Sequence, residues 1–434
     1  MRFIQLIFLL FFSDAFTSPT GDTYMTYDKH TVLRIYPTTE DDVQFLRDLT
    51  DKICEIMKFP GIPGRPVDVM CPPEDIAKFK ELIAEKGILV EEIIDDMGSL
   101  IREKVSLSSR MKRQVASMNW NDYQRYDTII RWMEETALAH PTFTKLIDMG
   151  RSVEGRKLYV LKIGMSPLGD NTRAVWLDGG IHAREWISVS TATYILKNLI
   201  TNFAAQNKTD CSDEVIRSVD WYIAPLLNPD GYEFTHTDDR LWRKNRRAPL
   251  TGSSCYGVDL NRNWGVAGYG VGASSKGCSE VYQGTAENSE PETQAIINTI
   301  LKYTNNIRVY VSLHSYGQYW LTSWGYKNDL PEDYDKLVNL GRKGATAIRC
   351  INPSRVYTVG SGAGVLYAAG GASDDYMKAV AKIPYSFTIE LPNEFTFVLD
   401  PSEIIPVGNE VWAAMKEMAS EAARHPLGPD PATF

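Results

Sequence analysis

The chain has 434 residues, of which 44% are hydrophobic and 23% are charged. This length exceeds that of one small domain, and the composition is typical of a soluble globular protein, so we expect two or more folding units. The formal net charge of −9 argues against a nucleic-acid partner, because phosphate binding requires a basic face.

The first residues have the pattern of a secretory signal peptide. Arg2 precedes the apolar run Phe3–Phe12, and the small residues Ser13, Ala15 and Ser18 follow it. The alternative is a membrane anchor, but the run is too short for a span of roughly 20 residues. We therefore assign residues 1–18 to a signal peptide and expect a secreted protein without a membrane-spanning segment.

Residues 19–113 have the pattern of a separate α+β pro-domain. Apolar runs and helical spacing predict, in chain order, a strand at Thr31–Tyr36, a helix at Asp41–Lys52, a strand at Val67–Met70, a helix at Pro73–Glu85, a strand at Ile88–Ile94 and a helix at Leu100–Arg113. The segment ends in the basic cluster Arg110–Arg113. Such a cluster can be solvated surface, but at a domain boundary it favours a processing site for a trypsin-like protease.

Residues 114–434 alternate between strand-like and helical stretches. The predicted strands are Lys157–Ile163, Ala174–Leu177, Trp221–Leu226, Arg308–Leu313 and Tyr385–Leu391, and helices are predicted at Ile187–Asn202, Pro291–Tyr303 and Ser402–Ala423. This alternation predicts an α/β fold with a largely parallel sheet. In such a sheet, functional residues collect at the strand ends and in the loops that follow them.

Six cysteines fit an oxidising compartment, although six allow 15 pairings. Proximity favours the pairs Cys54–Cys71 and Cys255–Cys278, which leaves Cys211 with Cys350. Because no two cysteines have the CxxC spacing, a cysteine metal site is not expected. Asn207 begins a glycosylation sequon.

His182 and Glu185 follow the strand-like run that ends in Gly179-Gly180. At a spacing of i, i+3, both side chains can point at one ion. His314 follows another apolar strand, and of the six histidines it has the best position for a third ligand. A catalytic zinc needs three protein ligands and one open position. A buried histidine beside a chance carboxylate is the alternative, and the endopeptidase motif HExxH is absent.

The segment Ile181-His182-Ala183-Arg184-Glu185-Trp186 closely resembles the zinc motif of the metallocarboxypeptidases of the A/B type. The resemblance covers the whole chain, from signal peptide to catalytic domain at 114–434. It implies one Zn²⁺ bound by His182, Glu185 and His314. It also implies a mixed, largely parallel eight-stranded sheet with helices on both faces, preceded by a ferredoxin-like pro-domain.

The same resemblance implies two catalytic residues. Glu390, at the end of an apolar strand, matches the general base that takes a proton from water. Arg243 matches the arginine that stabilises the oxyanion. Without the resemblance, Glu390 would be a surface glutamate at a strand end, and Arg243 part of a solvated basic run.

Substrate contacts are implied in the same way. Asn261 and Arg262 match the segment that binds the terminal carboxylate, for which arginine offers bidentate hydrogen bonds. Asp259 would hold His182 in its ligating tautomer. The remaining matches are the mobile Tyr367, the secondary contacts Arg184 and Tyr316, and the disulfide Cys255–Cys278.

The residue at the floor of the specificity pocket depends on how this sequence is aligned with the family. Counting from Tyr367 puts Asp374 at the pocket floor, where aspartate indicates a B-type preference for Lys or Arg, and Gly362 fits a deep pocket. Gly325 and Leu321 are more typical of A-type enzymes. If Asp375 faces the pocket wall instead, an apolar A-type preference is open. The prediction leans slightly toward basic residues.

The leading hypothesis is a secreted, monomeric carboxypeptidase zymogen that acts on peptides with a free C-terminus. An inactive binding protein on the same fold would lack a zinc ligand or the base, and this chain has all four residues. A zinc endopeptidase is disfavoured by Asn261 and Arg262, because a clamp for a terminal carboxylate rejects internal segments.

Overall fold

The structure is a computed structural model that describes residues 24–105, 117–166, 172–205, 211–393 and 395–427. The signal peptide at 1–18, the basic cluster Arg110–Arg113 and the sequon at Asn207 lie outside these residues. None of the described helices combines the length and the apolar character needed to cross a membrane.

The N-terminal unit is an α+β sandwich. In chain order it contains β1 (Thr31–Tyr36), α1 (Glu40–Ile53), β2 (Glu55–Lys58), β3 (Val67–Cys71), α2 (Ile76–Glu85), β4 (Leu89–Ile94) and α3 (Met97–Lys104). Its strands form an antiparallel sheet in the order β2-β3-β1-β4. The β-α-β-β-α-β connection is the ferredoxin-like arrangement. Leu33, Val69 and Phe79 pack between the sheet and the helices.

The larger unit is built on an eight-stranded sheet. Its strands are β5 (Thr144–Arg151), β6 (Lys157–Ile163), β7 (Ala174–Gly179), β8 (Asp220–Ala224), β9 (Ile307–Ser315), β10 (Tyr319–Thr322), β11 (Thr358–Ser361) and β12 (Tyr385–Leu391). The spatial order is β11-β10-β12-β9-β7-β8-β6-β5. The four central strands β12, β9, β7 and β8 are parallel, and antiparallel pairs join them to the outer strands on both sides.

Helices cover both faces of this sheet. In chain order they are α4 (Tyr126–Ala139), α5 (Trp186–Ala204), α6 (Cys211–Arg217), α7 (Pro229–Thr237), α8 (Pro291–Ile300), α9 (Tyr334–Ile351), α10 (Gly362–Val365), α11 (Ser373–Ala379) and α12 (Ile404–Arg424). Along β7, Val175 and Leu177 face one core with α5 and α12. Ala174 and Trp176 face the other core with α8 and α11. Because both faces are buried, the central strands are almost continuously apolar.

The predicted fold class is confirmed, but the helices α4 and α9, of 14 and 18 residues, and several strands were not predicted individually. β2, β5, β10 and β11 were not predicted: three of them have four residues, and β5 is partly exposed at the sheet edge. The last pro-domain helix begins earlier than predicted, at Met97, because the Asp96 carboxylate accepts a hydrogen bond from the Ser99 N–H and caps the helix.

Both cysteine pairings that proximity favoured are present. Cys54–Cys71 ties the start of β2 to the end of β3, and Cys255–Cys278 closes a loop of the larger unit. The remaining expectation, Cys211–Cys350, is wrong, since Cys350 is an exposed free thiol at the end of α9. Sequence proximity carries no information about this pair, whose members are far apart in the chain.

Candidate metal centre

The centre forms where two neighbouring parallel strands end together. Gly179 at the end of β7 is paired with Leu313 of β9, so the residues that follow each of them meet at one edge of the sheet. The chain then turns at Gly180, whose φ of +67° favours glycine. This turn places His182 and Glu185 ahead of α5 and beside His314, which lies within β9 rather than just after it.

His182, Glu185 and His314 form a buried cluster whose nitrogen and oxygen atoms lie close together. The His182 Nδ1 atom is 2.7 Å from Glu185 Oε1 and 3.1 Å from His314 Nδ1. His314 Nδ1 is 3.2 Å from Glu185 Oε2. Within the described part of the chain, this is the one group of three such side chains able to hold a metal ion.

These distances fit a tetrahedral zinc ion. Two ligand atoms bound at 2.0–2.1 Å with tetrahedral angles are about 3.3 Å apart, close to the three separations in the cluster. Although burial alone would raise the pKa of Glu185, the two imidazoles hold it below its usual value. Burial alone would lower the pKa of His314, but Glu185 raises it to about 9. A bound cation therefore has to displace a proton from His314.

Asp259 joins the cluster to a fixed positive charge. Its Oδ1 atom is 3.1 Å from His182 Nε2, and its Oδ2 atom accepts hydrogen bonds from Arg243 Nη2 and Nε at 2.9 and 3.1 Å. Despite complete burial, the neighbouring Arg243 and His182 hold the pKa of Asp259 well below its usual value. Asp259 thus orients one imidazole and holds a guanidinium beside it.

Glu390 lies directly beside the cluster on the next strand. It is paired in register with His314 across β12 and β9, and both side chains line the same cleft. Its Oε2 atom is buried and makes no hydrogen bond to any described residue. Burial raises the pKa of Glu390 to about 7, while His314 opposes the shift and Glu185 adds to it. A carboxylate with a free oxygen and a raised pKa suits proton transfer near neutral pH.

Two polar side chains lie on the other side of the cleft. Asn261 and Arg262 are buried in a short 3₁₀ turn, Leu260–Arg262, which the preceding residue Asp259 caps by accepting from the Asn261 N–H at 2.9 Å. Arg262 Nη2 donates to the Tyr367 hydroxyl at 3.3 Å. The Asn261 side-chain oxygen accepts from the Ser373 N–H at 2.9 Å. The turn therefore points a fixed guanidinium into the cleft.

The two consecutive acids of the specificity region have different environments. Asp374 lines the cleft together with Leu321, Gly325 and Gly362. Asp375 points away and accepts from the Gly325 N–H with both oxygens, at 3.0 and 2.9 Å. Both residues lie in the first turn of α11, where successive side chains diverge by about 100°.

The N-terminal unit covers the mouth of this cleft. Arg184 Nη1 donates to the Glu55 carboxylate at 3.1 Å, and the Tyr316 hydroxyl donates to Asp68 at 3.0 Å. The Phe59 ring lies 5.6 Å from that of Tyr367, measured between centroids. Arg184, Tyr316 and Tyr367, which the sequence predicts to contact substrate, therefore contact the N-terminal unit here.

All of the residues predicted for the site therefore lie in or around one cleft, although their roles stay predictions. Sequence reasoning missed Thr388, which lines the cleft two residues before Glu390, and strand alternation was the signal that could have identified it. It also missed Lys58 and Phe59, which line the cleft from the covering unit. No pattern in the sequence distinguishes them from other surface residues.

Comparison with known families gives two matches. Residues 129–414 match the sequence profile described as zinc carboxypeptidase, and residues 33–104 match the profile described as carboxypeptidase activation peptide.

Individual proteins agree with these profiles. The chain is 39% identical over 305 residues to carboxypeptidase B of Astacus astacus, covering 70% of this chain and 98% of the relative. It is 33% identical over 406 residues to carboxypeptidase A1 of Homo sapiens, covering 92% and 94%. The solved structure of thrombin activatable fibrinolysis inhibitor aligns with a TM-score of 0.81 and 31% identity, over 92% of this chain and all of the other.

Proposed function

The chain belongs to the zinc carboxypeptidase family, in the zymogen form that carries an activation peptide, and from this premise we propose which residues do the chemistry and which C-terminal residues are removed. The observation that carries the proposal is the presence, in one cleft, of a buried His₂Glu cluster and a guanidinium that can bind a terminal carboxylate.

We assign the zinc ligands to His182, Glu185 and His314. Zinc held there supplies a Lewis acid for the scissile carbonyl and lowers the pKa of a bound water. The hydrogen bond from His182 to Asp259 fixes the ring so that Nδ1 faces the cluster.

Glu390 is the proposed general base. Its unpartnered oxygen can accept the proton of the attacking water and then donate it to the leaving amine. Arg243 is proposed to stabilise the negative charge that develops on the carbonyl oxygen, since Asp259 holds its guanidinium beside the cluster.

Asn261 and Arg262 are proposed to bind the free carboxylate of the substrate. A planar guanidinium forms two parallel hydrogen bonds with a carboxylate, which an internal peptide bond cannot accept in the same way. Tyr367 already contacts Arg262, so its hydroxyl is placed to close over the terminal residue. Arg184 and Tyr316 are proposed to contact residues further from the terminus.

We propose a preference for basic C-terminal residues. The support is the buried carboxylate of Asp374 on the cleft wall, with no side chain at Gly325 or Gly362 to fill the space. A buried carboxylate favours a cationic partner, because an unpaired charge is costly to bury. An A-type preference for apolar residues is the alternative, and relatives of both types are similar to this chain.

We further propose that residues 1–18 are a cleaved signal peptide, 19–113 the activation unit and 114–434 the enzyme. The support is the apolar run at the start, the basic cluster at the boundary and the two disulfides, which suit an oxidising compartment. Cleavage by a trypsin-like protease in Arg110–Arg113 would separate the covering unit from the cleft.

The test is a panel of peptides that differ only in their last residue: Lys, Arg, Phe or Leu. The trypsin-treated protein is mixed with each peptide, and the products are read as a ladder by mass spectrometry. We expect losses of one residue at a time, fastest for Arg and Lys. Internal fragments would contradict the exopeptidase assignment, and faster removal of Phe and Leu would overturn the B-type preference.

A further inference from the structure

The two histidines of the cluster differ in what their second ring nitrogen meets. His182 Nε2 lies 3.1 Å from the Asp259 carboxylate. His314 Nε2 is buried and has no hydrogen-bond partner among the described residues. Since His314 Nδ1 faces the cluster, Nε2 carries the proton of a bound, neutral imidazole and needs an acceptor.

Two further unpartnered atoms lie below His314 on the same face of the sheet. Ser312 is two residues earlier in β9, so its side chain points to the same side as His314. Asp178 is paired in register with Ser312 on the adjacent strand β7. Ser312 Oγ and Asp178 Oδ1 are both buried and make no hydrogen bond of good geometry, whereas Asp178 Oδ2 accepts from Trp176 Nε1 at 2.9 Å.

The charge on this face supports a connection between the three residues. The charges of Asp178 and His314 attract each other, and the hydroxyls of Ser312 and Tyr310 lie within hydrogen-bonding reach of the Asp178 carboxylate. Both Asp178 and Ser312 are fully buried at the centre of the sheet. A buried polar atom that stays unsatisfied costs about 1–3 kcal/mol, so one partner shared by these atoms stabilises this face of the sheet.

We propose that His314 Nε2, Ser312 Oγ and Asp178 Oδ1 form a buried water-binding site, through which Asp178 positions the second metal-binding imidazole. Internal waters typically make two to four hydrogen bonds to such groups. The water accepts from the His314 N–H and donates to the Asp178 carboxylate. Ser312 supplies a further contact from the strand. Asp178 thus orients the His314 ring through the water, whereas Asp259 orients the His182 ring by direct contact.

This inference rests on the proposed role of His314 as a ligand. Partners of metal-bound histidines typically change metal affinity by 10–100-fold. Because Asp178 acts through water, we place its effect near the lower end of that range. Asp178→Asn keeps the size of the side chain and the contact with Trp176, but loses the charge. Ser312→Ala removes one partner of the water without altering any charge.

The experiment measures zinc affinity of the full chain by competition with a chelator, together with the visible absorption spectrum of the Co²⁺-loaded protein. We expect Asp178→Asn and Ser312→Ala to weaken zinc binding, by about tenfold for Asp178→Asn, and both to shift the Co²⁺ bands. Ser190→Ala is the matched control, because Ser190 is also buried but bonds within α5 to the Ile187 carbonyl. It should change neither reading.

A His314→Ala variant separates the two claims. If it binds zinc as tightly as the original chain, the ligand assignment fails. If it loses zinc while Asp178→Asn and Ser312→Ala keep the original affinity and spectrum, the water site alone is overturned. Should Asp178→Asn not fold, Ser312→Ala still decides the outcome.

Discussion

The metal centre and the specificity pocket share one cleft but are positioned by different kinds of structure. His182, His314 and Glu390 stand at the ends of neighbouring parallel strands, where register brings them together. The pocket wall is formed by the first turn of α11 and by glycines in loops. Turning α11 about its axis by the angle between successive residues would put Asp375 in the place of Asp374. The proposed chemistry therefore depends on the sheet, and the proposed selectivity depends on the loops around it.

The sharpest test of the centre is Glu390→Gln, which keeps the shape of the side chain but removes the proton acceptor. We expect turnover by the activated enzyme to fall by about 10²–10⁴-fold while one zinc per chain is retained, because general-base catalysis contributes on that scale. Turnover is measured on a Lys-terminated peptide and zinc by elemental analysis. Glu417→Gln on α12 is the control, and retained activity in Glu390→Gln would remove this residue from the mechanism.

The pocket is tested by two matched variants, Asp374→Asn and Asp375→Asn. We expect Asp374→Asn to lower kcat/KM for Lys- and Arg-terminated peptides by about 10²-fold, since a buried charge pair is worth 2–5 kcal/mol. Phe- and Leu-terminated peptides should change little. Asp375→Asn instead weakens the hydrogen bonds from the Gly325 N–H and should affect all four peptides alike. The reverse pattern would assign the pocket to Asp375.

The carboxylate clamp is tested by changing both sides of the contact. We expect a peptide with an amidated C-terminus to be processed about 10–100-fold more slowly, because charge-assisted hydrogen bonds contribute about 1.5–3 kcal/mol. In Arg262→Lys, which keeps the charge but not the planar fork, the ratio of acid to amide rates should shrink. Equal ratios in both enzymes would contradict the assignment of Arg262.

The centre could be predicted from the sequence because strand ends are easy to locate. An apolar run such as Val309–Leu313 is visible in any sequence, and its C-terminal edge is where His314 lies. The central strands were predicted for the same reason, and the covering helices α5, α8 and α12 from the runs between them. The roles proposed for Arg243 and Arg262 needed the family resemblance, since charged turns have no period of their own.

Other features could not be predicted because they depend on contacts between distant residues. Nothing local indicates that Asp375 is held by the Gly325 N–H, which leaves Asp374 to face the cleft. Short strands such as β2 and β10 have too few residues to show a period of two. The contacts that Lys58 and Phe59 make with the cleft also join distant parts of the chain, so they were not predicted.

The covering unit adds a second electrostatic centre, around Arg184. This one guanidinium lies near three acids: Glu55 at 3.1 Å, Glu280 at 3.7 Å and Asp239, which also accepts from the Tyr27 hydroxyl at 2.6 Å. Burial and the charge of Glu280 raise the pKa of Glu55 to about 8, against the effect of Arg184. Burial also raises the pKa of Asp239. Contact between the two units therefore favours the protonated forms of Glu55 and Asp239.

The smallest expected effect follows from this shift. A carboxyl whose pKa is raised in the docked state takes up a proton on docking, so docking is strongest at low pH and weakens as pH rises toward about 8. Because the Glu55 side chain is 31% exposed, solvent screens the charge, and we expect a change of only a few-fold. After trypsin cleavage, activity should appear faster at pH 8.5 than at pH 6.5. Glu55→Gln alters the absolute rate through the lost pair with Arg184, but it should reduce the ratio between the two pH values. An unchanged ratio in Glu55→Gln would show that another group carries the pH dependence.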